Sequence, residues 1–116
     1  MTGREKLIEI QYDEKGRIKH NGERYTEIKK LDRLLTGLGI RHEMHELFDG
    51  YQICVPEDHQ QNSFEGDAIQ HRGSYGAEQD LIEVYGFNLD GPDGYLTAEA
   101  ALVYFQKWHL KEKKEG

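Results

Sequence analysis

Apolar and polar positions change period several times along the chain. From Leu7 to Tyr12 they alternate, with Ile8, Ile10 and Tyr12 on one side, which predicts a strand. Asp13-Glu14-Lys15-Gly16 reads as a turn, and Arg17–His20 as a second short strand returning from it. Asn21-Gly22 is a further tight-turn signal. A helix is predicted to begin near Thr26. Ile28, Leu31, Leu35 and Leu38 recur at steps of three and four and form one apolar face. Gly37 and Gly39 end it, because glycine accepts the left-handed conformation at a helix terminus.

Period two then returns. Ile40–Leu47 and Tyr51–Val55 flank Asp49-Gly50, which predicts a hairpin with Asp-Gly as its two-residue turn. Tyr51, Ile53 and Val55 share a face, and Pro56 stops the strand. Glu57–Gly66 is a polar loop, and Asp67–Arg72 a further strand. Gly73-Ser74-Tyr75-Gly76 is a turn into a short helix over Ala77–Tyr85, with Leu81, Ile82 and Tyr85 on its buried side. Asn88–Gly94 is turn-rich. Thr97 suits the N-cap of a last helix whose core face is Ala98, Ala101, Leu102, Phe105 and Trp108 or His109. These elements predict an α+β fold, a small antiparallel sheet with about three helices packed mainly on one face. Residues 1–110 form a single domain, with an N-terminal hairpin over about residues 6–21, and residues 111–116 are a charged tail expected to fray.

Charge sharpens the picture. The 116 residues carry a net charge of -7. Residues 1–50 sum to zero, residues 51–106 hold Arg72 against ten acidic side chains, and residues 107–116 hold four lysines against two glutamates. An acidic middle argues against a general binder of phosphate backbones, which needs clustered Lys and Arg. It suits either plain solubility, an acidic face keeping a small protein monomeric and dispersed, or a partner with a basic surface. No run approaches the apolar length of a membrane span, and Met1–Lys6 has no apolar core of a secretory signal. A single cysteine, Cys54, excludes an internal disulfide framework and a multi-cysteine zinc site.

Candidate chemistry is sparse. Asp90–Glu99 looks like a calcium-binding loop, yet placing Gly94 at the loop's sixth position puts Leu89, Gly91 and Ala100 where oxygen ligands are needed. A turn followed by a capped helix accounts for it. His42 and His45, three apart, would project to opposite faces of a strand and could not share a metal. Cys54 lies between Ile53 and Val55, the setting of a buried and inert thiol. No catalytic constellation, metal site or cofactor is expected. The least generic stretch is Asp67–Gly76. Arg72 there is either a structural ion-pair partner or the anion-binding centre of a pocket with His71, Ser74 and Tyr75. Ser74 also suits a helix cap.

Four segments carry a resemblance: Phe48-Asp49-Gly50-Tyr51-Gln52-Ile53, Asp67–Gly76, Asp80-Leu81-Ile82-Glu83 and Gly94-Tyr95-Leu96-Thr97-Ala98-Glu99. Together they resemble a family of small proteins encoded in phages and prophages of Firmicutes, over roughly residues 26–109. The resemblance implies a mobile genetic element in a bacterial cytoplasm, a setting in which small acidic proteins inhibit host defence, as anti-CRISPR proteins do. It brings no catalytic residue with it.

The expectation is therefore an acidic, non-enzymatic binding protein. It would inhibit a host defence or nucleic-acid-handling protein, an RNA-guided nuclease among them, by occupying a basic surface. Glu57, Glu65, Asp67, Glu78, Asp80 and Glu83 would make the contact. Direct nucleic-acid and membrane contact are not expected. One alternative is a small-molecule binder, of a nucleotide or signal, using His71, Arg72, Ser74 and Tyr75. Another is a small metal-dependent or hydrolytic enzyme using the histidines.

Overall fold

A computed structural model describes residues 11–12, 18–19, 24–58 and 63–115. Two short antiparallel strands, β1 (Gln11–Tyr12) and β2 (Ile18–Lys19), lie within the predicted N-terminal hairpin; the rest of that hairpin, with the Asn21-Gly22 turn, falls outside the described residues. Helix α1 (Thr26–Gly37) leads into an antiparallel meander of β3 (Glu43–Leu47), β4 (Gly50–Val55), β5 (Gly66–Gln70), β6 (Ile82–Gly86) and β7 (Asp93–Leu96). Helix α2 (Ala98–Glu115) closes the chain. Among the described residues the fold is α+β, with a five-stranded sheet in sequence order and two α-helices on one of its faces.

Register builds the core. Ile53 of β4 stands beside Ala68 of β5, and Ala68 beside Val84 of β6, so one row of small and branched side chains faces the helices. Helix α1 covers β4 and β5, α2 covers β6 and β7, and the helices pack on each other. Ile28, Leu31 and Leu35 of α1 and Ala98, Ala101 and Phe105 of α2 are buried against that row. Period-three-and-four spacing thus becomes two buried stripes. Leu38, expected on the α1 stripe, lies past its end and is 52% exposed.

The C-terminus of α1 is a Schellman motif. Gly39 takes φ +74°, its N–H donates to Thr36 O (3.1 Å), and Ile40 N–H donates to Leu35 O (2.9 Å). Buried Ile40 and Leu35 belong to the same core. At the start of α2, the Thr97 hydroxyl accepts from Ala100 N–H at 3.1 Å, as its N-cap role requires.

Four expectations need correction. Ala77–Tyr85 is not a helix: a single 3₁₀ turn, Ala77–Gln79, gives way to β6. Ile82 and Val84 are both buried, a period of two. Asp93–Leu96, expected to straddle loop and cap, is the edge strand β7, joined to β6 by an irregular register between Ile82 and Val84. The charged tail is helical, since α2 runs to Glu115. The β3–β4 turn is Phe48-Asp49 rather than Asp49-Gly50: Leu47 pairs with Gly50, and Phe48 itself takes φ +55°. Among the described residues no helix is long and apolar enough to cross a membrane.

Candidate functional site

The distinctive surface lies at the sheet end where β3 turns into β4 and β5 runs into residues 71–76. Asp49, in the hairpin turn, organises it. One carboxylate oxygen accepts from the Tyr25 hydroxyl at 2.5 Å, and the other from Arg72 N–H at 2.9 Å. The Arg24 and Arg72 guanidiniums stand 3.7 and 3.6 Å from the same carboxylate. Burial alone would raise the Asp49 carboxyl. The Tyr25 hydroxyl, the amides of Arg72 and Asp49, and the charge of Arg24 more than offset it and hold the group below its ordinary value. Tyr25 answers in the opposite direction. Burial, then its bond to Asp49, pushes its hydroxyl up to about 12.

This clamp presents aromatic rings. Phe48 is 70% exposed on its left-handed backbone. The Arg72 guanidinium carbon is 5.7 Å from its ring centre, and His71 meets the ring edge to face at 5.0 Å. Tyr75, 56% exposed, follows on the same loop, where its N–H donates to Glu83 Oε1 at 2.8 Å. Tyr95 N–H donates to Tyr75 O at 3.3 Å, which sets Tyr95, 62% exposed, beside it. Two exposed groups result, Phe48 with Arg72 and Tyr75 with Tyr95, both borne by or bonded to the 71–76 loop, and together they are called the ridge.

Only part of the expected pocket faces outward. His71 and Ser74 are buried in each other's bonds: His71 N–H donates to Ser74 Oγ (3.0 Å), Ser74 Oγ donates to His71 O (2.9 Å), and Gly73 N–H donates to His71 Nδ1 (3.0 Å). Arg72 and Tyr75 remain exposed. Phe48, Asp49, Arg24, Tyr25 and Tyr95 were not anticipated as a site. In the sequence Asp49-Gly50 reads as a turn and Phe48–Ile53 as part of the resemblance, and nothing local ties either to Arg72.

Most of the acidic residues expected to make one contact surface are bonded internally or buried. Glu57 grips Arg41 through two bonds, of 3.0 and 2.8 Å. Glu65 accepts from Trp108 Nε1 at 3.0 Å. Asp80 caps α1, Glu83 holds the Tyr75 amide, and Asp67 is buried. Glu78 is exposed on the 3₁₀ turn.

Asp67 belongs to a chain of side chains across the sheet face away from the helices. His45 contacts Glu43 Oε2 (2.8 Å) and Gln52 Oε1 (2.7 Å), and Gln52 Nε2 donates to Asp67 Oδ2 (2.7 Å). His42 lies apart, against Asp32 at 2.7 Å. Cys54 is fully buried between Glu43 and Asp67; burial, then those two carboxylates, pushes its thiol up to about 12, the wrong direction for a nucleophile. Among the described residues no group of three or more His, Cys, Asp or Glu side chains is placed to hold a metal ion.

Burial raises the Asp67 carboxyl, Gln52 and the Tyr85 amide counter it, and Glu83 adds to it. The sign follows. A carboxyl raised on folding costs stability when ionised, and the cost disappears as pH falls through its folded value. Asp67→Asn is expected to be more stable than the wild type by about 1 kcal/mol at pH 7, with the difference closing as pH falls. Urea titrations of both proteins from pH 7 to pH 4 check it; a difference that widens toward low pH would contradict the assignment.

Comparison with protein-family models, with curated proteins and with solved structures finds no match. The site is therefore read from its own geometry.

Proposed function

We propose that the chain acts by binding a protein partner through the Phe48–Arg72–Tyr75–Tyr95 ridge, and that it inhibits that partner without catalysis. The observation that carries this is Phe48. A large apolar ring stands 70% exposed on a left-handed residue, under the guanidinium of Arg72, and the loop that carries Arg72 also carries exposed Tyr75. Aromatic side chains and arginine dominate the energetics of protein interfaces, and here Asp49 ties the Phe48 turn to the Arg72 backbone, so less ordering is left for binding to impose. The acidic middle of the chain takes a second role in this reading. Its charge steers encounter toward a basic surface, and the ridge anchors the complex. The motif resemblance supplies the setting: a host defence or nucleic-acid-handling protein in a bacterial cytoplasm, an RNA-guided nuclease being one candidate.

The test is capture from a Firmicute lysate by tagged protein at low and high salt, followed by the purified pair. Wild type is expected to retain one stoichiometric partner. Phe48→Asn combined with Arg72→Glu should weaken the purified complex by roughly a hundredfold at either salt, since hot-spot losses of about 2 kcal/mol or more are usual. Asparagine tolerates the left-handed backbone, so the hairpin survives the exchange. Glu78→Lys should alter the association rate and its salt dependence only. A complex indifferent to the ridge variant, or no partner for the wild type, overturns the reading.

A further inference from the structure

A second site lies at the opposite end of the sheet. There α2 and the segment after β6 enclose a groove of about 540 Å³, lined by Glu65, Phe87, Asn88, Tyr104, Lys107, Trp108, Lys111 and Glu112. We propose that this groove binds a mononucleotide, a planar heteroaromatic ring carrying a phosphate.

Aromatic rings make the floor. Tyr104 and Trp108 are one turn apart on α2, and Phe87 lies nearly parallel to Tyr104, with 6.1 Å between centres and 21° between planes. Phe87 is held edge to face on buried Phe105 at 5.0 Å. Its ring fills the space over Gly66, where a Cβ would come within 2.3 Å. Trp108 is fixed in turn, because its Nε1–H donates to Glu65 Oε1. The indole N–H is engaged, so what it offers a ligand is its π face, the surface on which a nucleobase stacks. Phe87 and Asn88 both take positive φ (51° and 65°), and Leu89 N–H closes that turn on Gly86 O at 2.8 Å. This turn places Asn88 on the groove lining, and its amide is a side chain with both a donor and an acceptor for a base edge.

The phosphate half rests on charge. Lys107 and Lys111 stand four residues apart on α2 and line the same groove as the rings. They belong to the lysine-bearing final ten residues of a chain whose preceding 56 residues hold one cation. Two ammonium groups beside an aromatic floor suit one small anion. The volume falls within the range of about 300–1,000 Å³ usual for small-ligand sites. Glu65 and Glu112 balance the two lysines on the lining, so the groove offers local contacts for one phosphate but no positive field for an extended polyanion, which favours the free mononucleotide over a single strand.

Trp108 is the sole tryptophan and lines the groove, so its fluorescence reports binding there, and the lysine variants separate this groove from the smaller cavity that Trp108 also lines with Arg41 and Glu57. The full chain is titrated with adenosine 5′-monophosphate, with adenosine, and with a ten-residue oligothymidylate. The mononucleotide is expected to quench Trp108 saturably, and adenosine to bind roughly tenfold more weakly. Lys107→Glu with Lys111→Glu should weaken the mononucleotide roughly tenfold or more, with adenosine and the far-ultraviolet circular dichroism unchanged; both lysines are exposed, so folding is preserved. No saturable quenching, equal affinity for adenosine and its monophosphate, or lysine variants that bind as wild type would overturn the proposal. Tighter binding of the oligothymidylate at equal salt would overturn it in favour of a single-strand site. None of these readouts involves the ridge around Phe48.

Discussion

Asp80→Ala is expected to destabilise the fold by about 3–5 kcal/mol, a large share of the 5–15 kcal/mol that holds a domain of this size together. The reason is a helix capped from far away. Tyr25 occupies the N-cap position of α1 in a left-handed conformation and makes no side-chain cap bond. Asp80, 54 positions beyond Thr26, supplies what is missing. Its Oδ1 accepts from Thr26 N–H at 2.8 Å, and its Oδ2 accepts from the Thr26 hydroxyl. The same Oδ1 accepts from Gln70 Nε2 at 2.7 Å, and Gln70 Oε1 accepts from Ile28 N–H at 3.0 Å. Gln70 is fully buried, so removing the carboxylate strands its amide as well as the helix end. Alanine is also strained at φ +60°. Asp80→Asn separates the two effects: it tolerates the backbone and keeps one acceptor, and should recover about 1–2 kcal/mol of the loss. Urea unfolding of both variants reads the difference. An Asp80→Ala protein within about 1 kcal/mol of wild type would mean that α1 is capped in some other way.

That cap shows where the sequence stops being legible. Local signals found α1, its glycine stop, the β3–β4 hairpin, β5 and the Thr97 cap of α2, because each depends on residues within one turn or one strand of each other. The partner of the α1 N-terminus is set by the meander, and no spacing around Tyr25 announces it. Glu27 repeats the pattern: its Oε1 accepts from Ala98 N–H at 2.7 Å, so a residue of α1 caps α2. Residues 77–85 misled for a different reason. Leu81, Ile82 and Tyr85 fit a helical stripe, while Ile82 and Val84 fit a strand, and a segment this short satisfies both patterns. Pairing of β6 with β5 decides it, burying Val84 beside Ala68. β7 is hidden because Gly91 and Pro92 just before it and Gly94 within it resemble a loop, and an edge strand with an irregular register tolerates that glycine. At the ridge, Arg72 was singled out for its isolation among acidic residues, whereas Phe48 was absorbed into a turn. Only the β4–β5 register brings that turn to Arg72.

Gly50→Ala is expected to cost about 3 kcal/mol or more and to weaken partner binding as well. Gly50 is buried at the start of β4, and a Cβ there would lie 1.9 Å from the Gln70 carbonyl oxygen and 2.9 Å from His71 Cα. The obstacle is backbone on β5, which no rotamer change can move aside. Relief requires β4 and β5 to part where Tyr51 pairs with Gln70. Gln70 is the link to Asp80, and the adjoining Asp49–Arg72 bond sets the ridge, so one methyl group loosens the α1 cap and the Phe48 platform together. This also explains the displaced hairpin turn. Glycine is needed at residue 50 for close approach of the backbones, so the left-handed position of the turn falls to Phe48. Gly91→Ala is the matched control, since a Cβ there meets nothing within 4 Å, and its stability should stay within about 0.5 kcal/mol of wild type. Thermal and urea unfolding give the stabilities, and affinity for the captured partner gives the second effect. A Gly50→Ala protein as stable as Gly91→Ala would show that β4 and β5 do not meet so closely. Loss of stability with undiminished binding would show instead that the ridge does not depend on the Asp49–Arg72 clamp.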